Sequence, residues 1–197
     1  MKMKNTVKII ALIICAVLMT AVLVSCKSDT EEIADGEVYA DIVIKDYGTV
    51  TVKLDPEAAP ITVANFVKLA KDGFYDGLTF HRIMEGFMMQ GGNGEPAGKT
   101  CGTIKGEFSE NGVENPLSHT RGAISMARTN VMDSASSQFF IVHEDSTFLD
   151  GKYAAFGYVT EGIEVVDLVC KSAEPIDGNG TILTASQPII EKVVIRD

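Results

Sequence analysis

The stretch from residue 80 to residue 92 constrains this chain more than any other, because it places a permanently charged arginine among large apolar side chains. Alternation along a strand predicts that Phe80, Arg82 and Met84 share one face. Gly86 permits a bend, after which a second short strand, 87–90, begins. Burying a guanidinium is costly unless its donors are satisfied. Arg82 is therefore either a structural residue bonded to backbone carbonyls or a functional one.

The chain from residue 38 onward repeats short strand patterns separated by turns. Alternating or apolar runs predict six further strands, at 38–45, 49–54, 122–127, 137–142, 154–159 and 188–195. Helical spacing of apolar residues predicts two helices, 60–71 and 163–171. Many short strands with two separated helices indicate an all-β barrel or sandwich. The glycine-rich segment 91–114 is expected to be a long surface loop.

The N-terminus has the pattern of an export signal. Three lysines precede an apolar run, 9–24, which ends in Leu-Val-Ser-Cys and resembles a bacterial lipobox. We expect residues 1–25 to be removed as a lipoprotein signal peptide, Cys26 to carry lipid, 26–37 to be a flexible tether and 38–197 to form one domain. The alternative is an uncleaved membrane helix, but about 16 apolar residues are short for a bilayer.

The charge of the chain limits its partners. Removal of residues 1–25 would take three lysines and no acidic residue, so the formal net charge would fall from −10 to −13. This acidity argues against nucleic acid or an anionic lipid surface as a partner of the domain. We expect a monomer on the extracytoplasmic face of the cell membrane, which it contacts through the lipid anchor only.

Several other reactive side chains carry no recognisable site. Cys101 and Cys170 lack metal-ligand spacing and are either two free thiols, the simpler expectation, or a disulfide. No nucleophile elbow surrounds the serines of the 134–137 segment. The three histidines lack a clustered acid or cysteine in the sequence, which argues against metal binding: His81, His119 and His143.

Five motifs follow one another in a fixed order and spacing: Phe80-His81-Arg82-Ile83, Gly86-Phe87-Met88-Met89-Gln90-Gly91-Gly92, Ser125-Met126-Ala127, Ser137-Gln138-Phe139-Phe140-Ile141 and Leu149-Asp150-Gly151-Lys152. Together they closely resemble the cyclophilin family of peptidyl-prolyl cis–trans isomerases, from about residue 38 to 195. The resemblance implies a closed eight-stranded antiparallel barrel with a helix over each open end. It also implies a substrate groove on the outside of the barrel. Rotation about a peptide bond requires no nucleophile, metal or cofactor.

The resemblance assigns roles to individual positions. Arg82 matches the catalytic arginine of the family, and Gln90 matches the polar residue near the substrate carbonyl. The remaining matches imply substrate binding: Phe87, Met88, Phe140 and Leu149 as walls of the proline pocket, Ala127 and Arg128 through their backbone, and Phe148 and Tyr153 at the groove.

Three of these positions depart from the common pattern. Arg128 replaces a frequent Asn, which we expect to be tolerated because that contact is largely main-chain. Phe148 and Tyr153 stand where many members carry Trp and His. The loss of the indole N–H at Phe148 puts tight binding of cyclosporin-type ligands in doubt.

These residue types suit rotation about an X–Pro bond. A guanidinium can stabilise the lone pair that develops on the proline nitrogen as the amide twists, while an apolar pocket grips the ring. We therefore expect proline-containing peptides and unfolded or folding secreted proteins as partners. Two alternatives remain: a proline-recognition or holdase module whose turnover is incidental, and a scaffold whose groove is blocked by the 91–114 loop.

Overall fold

The computed structural model describes residues 37–196, so the predicted signal peptide, the predicted lipidation site Cys26 and all of the predicted tether except Glu37 lie outside the described residues. Within this range no helix is long and apolar enough to cross a bilayer. The elements are, in chain order, β1 (Val38–Ile44), β2 (Gly48–Leu54), α1 (Pro60–Lys71), β3 (Phe80–Met84), β4 (Met88–Gly91), β5 (Ala123–Met126), β6 (Phe139–Val142), β7 (Ala155–Glu161), α2 (Ile163–Ser172) and β8 (Ile190–Arg196).

All eight strands belong to one antiparallel sheet with the order β3-β4-β6-β5-β7-β2-β1-β8. The predicted strands and both predicted helices are confirmed, most with ends shifted by one or two residues. Helix α1 packs against β8, and α2 packs against β2 and β4.

The prediction of a closed barrel is wrong, because the sheet is an open half-barrel. Its two end strands, β3 and β8, share no ladder, and residues 180–182 lie instead against the free edge of β3. The Ile83 N–H donates to the Gly180 carbonyl at 2.8 Å, and the Ile182 N–H donates to the His81 carbonyl at 3.0 Å. Because that edge is occupied, the start of β8 and the two residues before it, 188–190, bond only to residues 77–80 on this side of the sheet, where β3 begins.

Two apolar clusters lie on opposite faces of the sheet. The larger one is the core, into which α1 sends Phe66 to meet the rings of Tyr75, Phe139 and Phe156. The smaller one comprises buried side chains of β4, β5, β6 and the segment before β7: Met88, Ala123, Phe140, Val142 and Leu149. Alternation along β4 explains the separation, since Met89 enters the core and its neighbour Met88 the smaller cluster. An apolar surface outside the core is what a groove on that face requires.

The prediction that 91–114 is simply a surface loop is wrong at several buried residues, among them Glu107 and Phe108. Helix α1 has no side-chain cap at Ala59. The Glu107 carboxylate accepts instead from the backbone N–H groups of Ile61 and Thr62, at 3.0 and 2.8 Å. Free N–H groups and the helix dipole favour an anion there. The loop therefore completes a helix that lies more than forty residues earlier.

Cys101 and Cys170 are free thiols, which agrees with the simpler expectation. Cys170 is buried on α2, and burial, with a smaller contribution from Asp167, raises the pKa of its thiol to about 12. A thiol of this kind remains protonated and behaves as a core residue.

Candidate active site

Four residues on adjacent strands form a row across the sheet. Arg82 on β3 faces Gln90 on β4, Gln90 faces Phe140 on β6, and Phe140 faces Ser125 on β5. A groove of about 140 Å³ lies over this row and the smaller cluster. Nine of the ten predicted site residues line it: Arg82, Phe87, Met88, Gln90, Ala127, Arg128, Phe140, Leu149 and Tyr153.

A β-bulge in β3 directs Arg82 to the groove. The pairing shifts between Phe80, opposite Gly91, and Arg82, opposite Gln90. Phe80 consequently enters the core, whereas Arg82 and Met84 contact the groove side, so the expectation that all three share one face is wrong for Phe80. Bulges of this kind re-aim a side chain and are frequent beside active sites.

The Arg82 guanidinium is held without a carboxylate partner among residues 37–196. Its Nε donates to the Asn179 carbonyl at 2.8 Å. Nη1 lies 3.8 Å from the Met88 sulfur and Nη2 lies 3.4 Å from the Met84 sulfur. Thioethers are weak acceptors. Partial burial lowers the pKa of Arg82 from its ordinary value, but an arginine stays charged at neutral pH.

The loop that supplies Asn179 could not be inferred from the residues around Arg82. Gly180 has φ of +85°, and a Cβ there would lie 2.5 Å from Cγ of Met84 and 2.7 Å from the Ile83 carbonyl. Only glycine permits so close an approach with that backbone conformation. The turn-forming letters of 177–180, Asp-Gly-Asn-Gly, indicate a turn, but nothing in them indicates its partner.

A pair of amides orients the polar side of the groove. Gln90 Nε2 donates to Gln138 Oε1 at 2.9 Å, and Gln90 Oε1 lies 3.4 Å from Arg82 Nη1. The amide oxygen of Gln90 is therefore turned toward the cation. Sequence reasoning noted Gln138 only as part of a motif.

On the apolar side of the groove, Phe87 is held in place by hydrogen bonds at the turn that contains Gly86. The Gly86 N–H donates to His143 Nδ1 at 2.9 Å, and the His143 N–H donates to the Phe87 carbonyl at 2.8 Å. The ring of Phe87 lies 5.9 Å below the Arg82 guanidinium carbon. His143 also lies 3.2 Å from Asp167, so the expectation that it lacks an acidic neighbour is wrong.

A buried hydrogen-bond chain supports Phe140 from beneath. Its ring stacks on His119 with centroids 5.9 Å apart. His119 Nδ1 lies 2.8 Å from Asp150, and His119 Nε2 lies 2.9 Å from the Ser125 hydroxyl. These hydrogen bonds could not be predicted from the sequence, because Asp150 lies thirty-one residues from His119. His119 and Ser125 are fully buried, so these three hydrogen-bonded side chains resemble a hydrolase triad only in composition. Their role is to support the ring of Phe140 at the bottom of the groove.

Burial also sets the protonation of this chain. It lowers the pKa of His119, although the hydrogen bond that His119 donates to Asp150 acts in the opposite direction. For Asp150, burial raises the pKa, but hydrogen bonds from Ser118 and from His119 outweigh it and hold the pKa below its usual range. The imidazole is therefore neutral at pH 7, donating through Nδ1 and accepting from Ser125 at Nε2.

The far side of the groove is aromatic and cationic. The Arg128 guanidinium carbon lies 4.7 Å from the Tyr153 ring centre and 4.9 Å from that of Phe108. Phe148, the one predicted site residue outside the groove lining, is 63% exposed and lies at the rim with its ring 5.7 Å from that of Phe87.

The remaining titratable and nucleophilic candidates lie elsewhere. His81 does not line the groove, and burial lowers its pKa. Ser134 and Ser137 donate to backbone carbonyls of their surroundings, as loop and structural residues do. Among residues 37–196 no three His, Cys, Asp or Glu side chains cluster in a way that could hold a metal ion.

Known proteins are similar to this chain in both sequence and fold. The sequence model of the family described as "Cyclophilin type peptidyl-prolyl cis-trans isomerase/CLD" matches residues 39–195. The chain is 49% identical over 124 residues to peptidyl-prolyl cis-trans isomerase B of Bacillus subtilis, covering 62% of this chain and 83% of the relative. It is 36% identical over 159 residues to peptidyl-prolyl cis-trans isomerase B of Escherichia coli, covering 77% and 96%. The crystal structure of a cyclophilin type peptidyl-prolyl cis-trans isomerase from Cryptosporidium parvum superposes with a TM-score of 0.71 at 25% identity, covering 82% of this chain and 99% of that one.

Proposed function

Because this chain belongs to the cyclophilin-type peptidyl-prolyl cis-trans isomerases, we propose that Arg82 and Gln90 are its catalytic residues and that the apolar wall beside them holds the proline ring. The chain is an isomerase of X–Pro peptide bonds, and its substrates are proline-containing peptides. The observation that carries the assignment of residues is the shared groove: the Arg82 guanidinium, which has no acidic partner within residues 37–196, lies beside the buried Phe140 pocket.

The chemical problem is the stiffness of the amide. Resonance gives the C–N bond partial double-bond character and a rotation barrier of roughly 18–20 kcal/mol. Exchange at an X–Pro bond alone takes on the order of tens to hundreds of seconds. Twisting the bond pyramidalises the proline nitrogen and localises its lone pair. A donor aimed at that nitrogen is therefore stronger in the transition state than in the ground state, as catalysis requires.

Arg82 has the donors for this role. Its Nε is committed to the Asn179 carbonyl, whereas Nη1 and Nη2 meet two thioethers and a long contact to Gln90. Weak acceptors hold the guanidinium in place and leave its N–H groups open to the substrate. A charge-assisted hydrogen bond is worth roughly 1.5–3 kcal/mol, or about one to two decades in rate.

The pocket supplies the rest of the stabilisation. Phe140, Met88 and Leu149 are buried against one another and offer an apolar wall for the proline ring. A ring held there cannot follow the rotation, so the carbonyl of the preceding residue turns past Gln90. Hydrogen bonds from preorganised groups that form only with the turned carbonyl favour the twisted amide. None of these steps calls for a nucleophile, a metal or a cofactor.

Exchange kinetics test these assignments. Cis-to-trans exchange of a short Ala-Pro-containing peptide is measured by NMR for the wild type and Arg82→Ala, with Arg196→Gln as the control. Arg196 pairs with Asp41 on β1 and does not line the groove, so its loss removes the same charge without touching the site. We expect Arg82→Ala to lose about one to two decades of kcat/KM. Equal rates for the wild type and Arg82→Ala would end the assignment.

The same variant separates catalysis from simple binding. A domain that protects aggregation-prone clients by recognising proline segments would lose exchange in Arg82→Ala and protect clients as before. Folding of a proline-limited client distinguishes the two: catalysis requires that its slow phase be accelerated by the wild type and not by Arg82→Ala.

The biological setting that we propose is folding of extracytoplasmic proteins by a lipid-anchored isomerase. Its support is the sequence pattern of residues 1–26 and the acidic composition of the chain. Expression of the full chain in bacteria tests it. We expect the wild type in the membrane fraction and accessible to protease from outside the cytoplasm. Cys26→Ser, which has no thiol to acylate, should no longer incorporate a labelled fatty acid.

A further inference from the structure

Arg128 is a second cation of the groove, and its side chain is held more firmly than its expected main-chain role requires. Its guanidinium carbon lies between the rings of Tyr153 and Phe108, at 4.7 and 4.9 Å from their centres. Nε donates to the Lys152 carbonyl and Nη1 to the Thr129 carbonyl, both at 2.9 Å. The side chain lines the groove beside the proline pocket. A long, flexible arginine is thus fixed in one orientation at the substrate surface.

Arg128, like Arg82, has no acidic partner among residues 37–196, whereas the two arginines outside the groove both have one. Arg121 pairs with Asp167 at 2.7 Å, and Arg196 pairs with Asp41 at 2.9 Å. No ion pair within residues 37–196 involves Arg128. Its two carbonyl bonds use two of the five N–H donors of a guanidinium, so both N–H groups of Nη2 and one of Nη1 are left. Both N–H groups of Nη2 therefore remain available to a carboxylate, and hydrogen bonds between a guanidinium and a carboxylate are charge-assisted and strong.

The position of Arg128 relative to Arg82 defines which part of a substrate it can reach. Arg82 lies on β3 and Arg128 just beyond the end of β5, three strands further along the order β3-β4-β6-β5. At about 4.8 Å per strand the two strands are about 14 Å apart, and the three residues from Ser125, which is in register with Arg82, to Arg128 add an offset of up to about 10 Å along the strand. An extended peptide of about five residues spans this distance, and Arg82 and Arg128 both line the groove. The Tyr153 ring lies between Arg128 and the proline pocket, since it contacts Arg128 and packs edge-on against Phe140 with centroids 6.0 Å apart.

We propose that Arg128 makes this isomerase selective for substrates that carry an acidic side chain within about two residues of the proline. A carboxylate there binds the free Nη1 and Nη2 donors, while Arg82 acts on the proline nitrogen at the other side of the ring. The net charge of −10 repels acidic chains at long range. An unpaired, preorganised guanidinium in the groove offsets this repulsion at the one place where the substrate binds.

This inference rests on the proposed function, and a panel of peptides tests it. Each short alanine-based peptide has one proline and carries Glu or Gln two residues before, one before, one after or two after it. The readout is the ratio of kcat/KM for each Glu peptide to that of its Gln partner, because the ratio cancels any loss common to both. The enzymes are the wild type, Arg128→Gln, Arg128→Lys, Arg128→Glu and the charge control Arg196→Gln.

We expect the wild type to prefer Glu by about two- to fivefold at one or more positions at low salt, with a smaller preference as salt rises. Arg128→Gln should remove the preference, Arg128→Glu should reverse it, and Arg128→Lys should keep part of it. Arg196→Gln should keep all of it. A ratio near one at every position, or a preference that survives Arg128→Gln, would overturn the inference while exchange of the panel upheld the isomerase. Absence of exchange with every peptide would instead overturn the proposed function.

Discussion

Nη1 of Arg82 lies 3.4 Å from Oε1 of Gln90, and the two residues face each other across β3 and β4. Gln90 donates through Nε2 to Gln138, which turns its oxygen toward the guanidinium. The contact is long for a hydrogen bond, so it orients the cation and leaves its donors available. The rate of isomerisation should therefore depend on Gln90 being neutral.

Gln90→Glu should be more harmful than Gln90→Leu. Both substitutions remove the donor to Gln138, but only the carboxylate forms an ion pair with Arg82 and occupies the donors that the substrate needs. We expect kcat/KM for an Ala-Pro peptide to fall by about a decade more in Gln90→Glu than in Gln90→Leu. In the Arg82→Ala background the two should be equivalent, because the coupling is lost. Equal rates for the two single variants would contradict the orienting role.

Glu107→Gln should destabilise the protein while leaving catalysis intact. The amide retains one acceptor, so at least one of the Ile61 and Thr62 N–H groups faces a donor in a buried place. Hydrogen bonds to a charged group contribute roughly 1.5–3 kcal/mol, and we expect a loss of that size in the free energy of urea unfolding. Glu110→Gln, an exposed residue three positions later, is the control and should stay within about 0.5 kcal/mol of the wild type. A matching loss in both variants would show that α1 does not depend on the Glu107 carboxylate.

The free energy of unfolding should decrease on mild acidification because of the buried His119. Because burial lowers its pKa in the folded protein, the unfolded chain binds a proton first as pH drops below about 6.5. Stability rises with pH wherever the unfolded state binds more protons, so it is lost as pH falls through this window. Burial lowers the pKa of His81 as well, which adds in the same direction.

Urea unfolding at pH 7, 6 and 5 measures this effect. The decrease in the free energy of unfolding between pH 7 and 5 should be smaller in His119→Gln than in the wild type, whatever the loss at pH 7. His81→Gln serves as the matched comparison, because it should remove only its own share. If the free energy of unfolding of His119→Gln decreases between pH 7 and 5 by as much as that of the wild type, protonation of the buried His119 does not cause the decrease.

Phe148→Ala should affect substrate binding and little else. The ring is 63% exposed and contacts Phe87 at the rim of the groove, so its removal leaves no cavity. We expect thermal stability to be unchanged and KM for peptides longer than four residues to rise about two- to threefold, with kcat unaffected. Phe140→Leu is the contrast: this side chain is buried on His119, and both stability and kcat should fall. A drop in kcat in Phe148→Ala would contradict this prediction, because it would mean that the Phe148 ring acts on the bond that rotates.

Much of the architecture could be read from local pattern. Helix α1 was predicted to the residue because apolar side chains recur at helical spacing behind Pro60. The strands were predicted because alternation and turn residues are local signals. The bulge that separates Phe80 from Arg82 is different, since it depends on how β3 registers against β4, and a pairing register has no single-strand signature. The same is true of the edge of β3, which a distant loop covers before β8 can reach it.

The amino-acid order by itself determined the eight strands, the two helices and the set of residue types that an isomerase groove needs, because each follows from local periodicity or from motifs in register. Only the tertiary structure decided that the sheet stays open, that Glu107 completes α1, that His119, Ser125 and Asp150 support Phe140, and that Arg128 is held beside the pocket by two aromatic rings. These contacts join residues far apart in the chain. Their geometry follows from packing and desolvation in three dimensions, for which no stretch of sequence carries a local signal.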